Sequence, residues 1–169
     1  RNRLHFKNAL AYGVGHGGIE AIFLVGLGYV NLLIFSLMIN NGTFDTLVAP
    51  QLGINAESIR IDLISEPSYL YLIGGVERVF AIAVQIGLSL LVFYSVVKNQ
   101  TLLYWLAVVM HTLVNLPAVL LSMAGINVLW IELWVALCAA VAVWYVWRSA
   151  KAEKFRENLL NPIEINQNN

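Results

Sequence analysis

Charge is scarce in this sequence. Only 12% of its 169 residues are Asp, Glu, Lys or Arg, about half the share of a typical soluble domain. Ten basic residues balance ten acidic ones. Without a net field of either sign, a polyanion-binding surface is not expected, and nucleic acid is excluded as the natural partner. Cysteine is nearly missing. Cys138 stands alone in an apolar run, so the chain can build neither an internal disulfide nor a thiolate metal site. Internal repeats are absent too, which counts against the repeat-built transporters.

What fills the space is apolar. Hydrophobic residues make up 59% of the chain, and mean hydropathy is +0.72. They gather in four runs, at residues 8–40, 69–97, 101–124 and 127–147. Each is long enough for the ~20 apolar residues that a membrane-crossing helix requires. Backbone exposed to lipid must satisfy its own hydrogen bonds, so these runs are expected to be helices. The expected fold is all-α, a polytopic membrane bundle of about four transmembrane helices over residues 1–150, followed by a polar cytoplasmic tail at 151–169. The first run exceeds one bilayer, reaching roughly 50 Å if straight. It is expected to tilt, to break near its glycines or to protrude.

The few charges sort by side. Arg1, Arg3 and Lys7 precede the first run, Lys98 lies between the second and third, and Arg148, Lys151, Lys154 and Arg156 follow the fourth. The first connection, residues 41–68, carries Asp45, Glu57, Asp62 and Glu66 against Arg60. The positive-inside rule then puts both ends in the cytoplasm and the acidic connection outside a multi-pass cell-membrane protein. That connection mixes apolar and polar residues in a way that allows a short surface helix.

Polar groups inside spans are costly, at least ~2.5–3.5 kcal/mol for a charge at the helix centre, so they are functional candidates by default. They are His16 and Glu20 in the first run, Glu77, Arg78 and Gln85 in the second, and His111 and Asn115 in the third. Glu20 lies thirteen residues from Lys7, and Gln85 and His111 each lie thirteen residues from Lys98. A carboxylate, an amide and an imidazole are thus expected at one depth. His16 with Glu20, and His111 with Asn115, are spaced i, i+4 and share helix faces. Glu77 and Arg78 diverge by about 100° around their helix, and Arg78 is expected to tie helices together. Gly13, Gly15, Gly17 and Gly18 surround His16, either to let helices approach or to leave room for a substrate backbone. Asn115 precedes Pro117, which frees the carbonyl of Leu113, and it is a candidate to cap the resulting kink.

The ordered set Gly15-His16-Gly17-Gly18-Ile19-Glu20-Ala21, Glu77-Arg78 and His111-Thr112-Leu113-Val114-Asn115 resembles the YhfC family of intramembrane proteases. That family is similar to the CAAX-protease and bacteriocin-processing superfamily and to PrsW. The resemblance implies a glutamate-type endopeptidase acting on a polypeptide in or next to the membrane. Glu20 would be the general base for water, His16 or His111 would orient water or protonate the leaving amine, and Asn115 and Gln85 would donate to the oxyanion. The second-helix residue stays open between Gln85 and Glu77. The superfamily's paired Glu-Glu is missing, with His16 in the neighbouring place. Relatives carry further helices before the first motif, so the chain is expected to be a C-terminal part of a longer protein.

No cofactor is expected in that form. An alternative uses His16, Glu20 and His111 as a zinc site with one open position. It needs a separate base, for which Glu77 is taken as the only spare intramembrane carboxylate. A second alternative is not an enzyme: the polar band would serve as an ion pathway or bind a partner helix. Membrane lipid is a partner in every case.

Overall fold

A computed structural model describes residues 6–160, with side chains as far as residue 152. All regular structure among the described residues is helical. The elements are α1 (Phe6–Ala21), a π-helical turn (Ile22–Gly26), α2 (Leu27–Asn40), the short α3 (Phe44–Leu47) and α4 (Ala49–Leu52), a 3-10 turn (Gly53–Asn55), α5 (Ala56–Ser65), α6 (Ser68–Lys98), α7 (Thr101–Met123) and α8 (Val128–Leu160). Among the described residues, four helices are long and apolar enough to cross a membrane: Phe6–Asn40, Ser68–Lys98, Thr101–Met123 and Val128–Ala152. The tail expectation meets a longer helix, since α8 runs on to Leu160. Residues 161–169 lie outside the described residues, as do Arg1 and Arg3.

The overlong first run stays helical from Phe6 to Asn40, and its irregularity falls near its glycines, in the π turn that ends at Gly26 and is closed by the Leu27 amide donating to the Ile22 carbonyl. Single π turns of this kind are frequent at functional sites.

The chain forms two compact units. One joins the segment ending at Gly17 to everything from Glu77 onward, and the other is Gly18–Val76. In the first unit, α6 supplies the centre: Val84, Gln85, Gly87, Ser89 and Leu90 are buried, Leu90 completely. Glycine lets α1 lie against it. A Cβ at Gly13 would come within 2.6 Å of the Ile86 Cα, and one at Gly17 within 3.1 Å of the Ile82 Cα. The pairing of 13 with 86 and 17 with 82 makes these helices antiparallel. On another side of α6, a Cβ at Gly87 would meet the Ala142 Cβ at 3.0 Å. The α7–α8 turn needs Gly125 at φ +69, a left-handed conformation open to glycine. Asn127 Oδ1 then accepts from the Leu129 amide at 2.9 Å, satisfying one orphan donor at the start of α8. Trp134 Nε1 donates to the Val114 carbonyl at 3.0 Å, tying α8 to α7 beside Pro117, which sits within an unbroken α7.

In the second unit the acidic connection is largely helical rather than a loop with one surface helix. Phe44 is buried and packs edge-on against Phe35, with centroids 5.9 Å apart. Arg60 holds both Asp45 oxygens at 2.9 and 3.0 Å. Tyr29 and Tyr71 meet edge-on at 6.0 Å, and the bare Cα of Gly74 makes room for the Tyr29 hydroxyl.

Candidate functional site

The third-span motif is the clearest piece of local geometry. One helical turn separates His111 from Asn115, and the Asn115 amide nitrogen stands 2.9 Å from His111 Nε2. With the amide donating, Nε2 accepts and the imidazole proton sits on Nδ1. Asn115 is therefore engaged with His111, and the α7 carbonyl bonded beside Pro117 is that of Val114, to Trp134. The kink-capping expectation for Asn115 gives way to orientation of a histidine.

In the first run, His16 is exposed and stacks on Tyr12 one turn earlier, with centroids 6.0 Å apart and planes 5° from parallel. The glycines around it fall into two groups. Gly13 and Gly17 are buried against α6, whereas a Cβ at Gly15 or Gly18 would meet nothing within 4 Å. Glu20 belongs to the second unit and is half-buried near the end of α1, two residues before the π turn begins.

Gln85 is buried, and a Cβ at Gly17 would lie 3.2 Å from its Cβ. The amide is thus seated under the glycine face of α1. Glu77 has a different setting. Arg78 Nη2 donates directly to Glu77 Oε1, although neighbours on an ideal helix diverge. The side chains bend together because an apolar surrounding offers each charge no better partner.

Sequence reasoning missed Glu132. It lies within the fourth membrane-length helix, Val128–Ala152, and interacts electrostatically with both Glu77 and Arg78. Glu77 is therefore not the only spare intramembrane carboxylate. Arg78 Nε is buried without a hydrogen-bond partner, so the bond to Glu77 leaves part of the guanidinium unsatisfied. The signal that finds Glu132 is the one applied to the other spans: an ionisable residue inside an apolar run.

Metal binding was tested on the donors present. Among the described residues, no three His, Cys, Asp or Glu side chains gather closely enough to hold an ion. His111 Nε2 is already bonded to Asn115 and would have to give up that bond to ligate through that nitrogen. The arrangement as it stands does not fit a closed metal site.

The family model described as "YhfC intramembrane metalloprotease" matches residues 1–155. The chain is 40% identical over 148 residues to the uncharacterized membrane protein YhfC of Bacillus subtilis (strain 168), covering 83% of this chain and 55% of that protein. The chain thus spans about half the length of the curated relative it matches. No solved structure matches. Four membrane-length helices, the ordered Glu, His and Asn motifs and the match over nearly the whole chain lead to one conclusion: this chain belongs to the YhfC family.

Proposed function

We propose that the chain is the catalytic part of an intramembrane endopeptidase that hydrolyses a peptide bond of a membrane-embedded or membrane-proximal polypeptide. The observation that carries the reading is the family match over residues 1–155, which takes in Glu20, His111 and Asn115 in their expected order. Glu20 takes a proton from the attacking water as general base. His111, held by Asn115 at 2.9 Å, orients the water or protonates the leaving amine, and His16 is the other imidazole available for that proton. An amide group has two N–H donors. Asn115 spends one on His111 and keeps one for a developing oxyanion, and Gln85 is the second amide candidate. Glu77, bonded to Arg78, is better suited to holding charge inside the span than to proton transfer. Both chain ends on the cytoplasmic side is part of the same proposal, on the charge distribution.

The family description names a metal, which favours a second reading with His16, Glu20 and His111 as zinc ligands. The described side chains do not gather three such donors, so no step is derived through an ion. Metal analysis of the purified protein separates the two forms. Zinc at one equivalent, lost together with cleavage on chelation and restored with it, selects the second. Cleavage that survives chelation selects the first.

The direct test is Glu20→Gln in the full chain, with cleavage of a membrane-peptide substrate as readout. Cleavage is expected to vanish while thermal unfolding stays that of the wild type. Retained cleavage removes Glu20 from the mechanism.

A further inference from the structure

An apolar groove of about 410 Å³ opens in the first unit between α6, α7 and α8. Val84, Gly87 and Leu91 line it from α6, Met110 and Val114 from α7, and Cys138 from α8. Along α8 it runs from Trp134 to Tyr145, roughly 16 Å at the helical rise. That is about half of a ~30 Å hydrocarbon core, the depth of one leaflet.

One end carries charge. At the Tyr145 end the walls lead to cations. Trp144, in the wall, carries the Arg148 guanidinium 5.9 Å from its ring centroid. On α6, Tyr94 and Lys98 continue the face of the lining Gly87 and Leu91 at helical spacing, and Lys98 Nζ sits 5.1 Å over the Tyr94 ring. No Asp or Glu occurs in residues 94–101 or 144–152. The opposite end, at Trp134, is apolar.

Hydrocarbon gains little by leaving bulk lipid for such a groove, because lipid tails are as apolar as its walls. Selection must therefore come from the charged end. Arginine and lysine bind phosphate oxygens well there, and Arg148 presents a fork of donors. We propose that the groove is a binding site for one phospholipid with an anionic headgroup. An acyl chain lies along Gly87, Val114 and Cys138, and the headgroup phosphate is held by Lys98 and Arg148. This site is independent of the peptidase reading and uses none of its residues.

The test uses the full chain with Trp105, Trp130 and Trp147 replaced by Phe, which leaves Trp134 and Trp144 in the groove. It is reconstituted in phosphatidylcholine vesicles holding roughly 10 mol% of a lipid brominated on its acyl chains, as phosphatidylglycerol or as phosphatidylcholine. Bromine quenches tryptophan on contact. Brominated phosphatidylglycerol is expected to quench about threefold more than brominated phosphatidylcholine at the same fraction. The excess should disappear in Lys98→Gln/Arg148→Gln, and also in Cys138→Leu, which fills the groove and leaves the charges intact. Circular dichroism and elution volume verify that each variant is folded. Equal quenching by the two headgroups overturns the proposal. So does an excess that survives the charge variant, or one that survives Cys138→Leu, since the lipid would then sit on surface charge alone. Quenching at the bulk fraction for both lipids, meaning another occupant such as a peptide or a second copy, overturns it as well.

Discussion

The bond between His111 and Asn115 joins two residues whose roles are separable. Asn115→Ala removes a donor to the histidine and an oxyanion candidate together. Its single-turnover cleavage rate is expected to fall by roughly 10²–10³ with little loss of stability. Asn115→Asp keeps a partner for His111 but removes the amide donors. A rate no better than that of Asn115→Ala would assign the larger share to oxyanion donation. Arg78 differs in kind, because it bonds Glu77 and also interacts electrostatically with Glu132. Arg78→Gln removes the cation that offsets both carboxylates and is expected to destabilise the first unit by about 1.5–3 kcal/mol, the usual worth of a hydrogen bond to a charged group. Glu132→Gln relieves repulsion from Glu77 and should cost less, and unfolding in detergent ranks the two. The pairing of Glu77 with Arg78 was half legible in sequence. Their adjacency was visible, but an ideal helix turns them apart, and an apolar setting that favours pairing of charges brings them together.

Among the elements, α1 shows most clearly that neighbouring glycines meet different surroundings. Gly13 and Gly17 bring it against Ile82 and Ile86 of α6, whereas Gly15 and Gly18 face open space. Gly13→Leu would drive a side chain into the α6 backbone and is expected to destabilise by about 1–3 kcal/mol. Gly15→Ala meets nothing and should leave the unfolding midpoint unchanged or slightly raised. Equal losses at both positions would mean that the glycines are needed for backbone freedom rather than for close approach. The glycine cluster was plain in the sequence. Which glycines pack was not, because that depends on where α6 lies around α1. Similarly, Pro117 announced a freed carbonyl, but the indole that bonds next to it comes from Trp134 on another helix. Trp134→Phe keeps the ring and loses that bond, for an expected cost of about 0.6 kcal/mol in a membrane setting.

At the scale of the whole molecule, the proposed topology can be read by chemical labelling, since Cys138 is the sole cysteine. In a Cys138→Ala background, Ile54→Cys occupies a position 97% exposed in the acidic connection. It should react with a membrane-impermeant maleimide added outside intact cells, and Asn99→Cys should react only after lysis. The reverse pattern inverts the topology and moves the cationic mouth of the groove to the other leaflet. The sequence by itself determined the four membrane-length helices, because apolar length and backbone satisfaction in lipid leave no other solution. It also determined the family, because ordered motifs are read along the chain. The i, i+4 pairing of His111 with Asn115 was legible for the same local reason. The tertiary structure decided what depends on rotation and approach between helices: the burial of Gln85 under Gly17, the service of Arg78 to a carboxylate on another helix, and an apolar groove that ends in cations. Spacing along one helix sets which residues share its face, but only packing sets what that face meets.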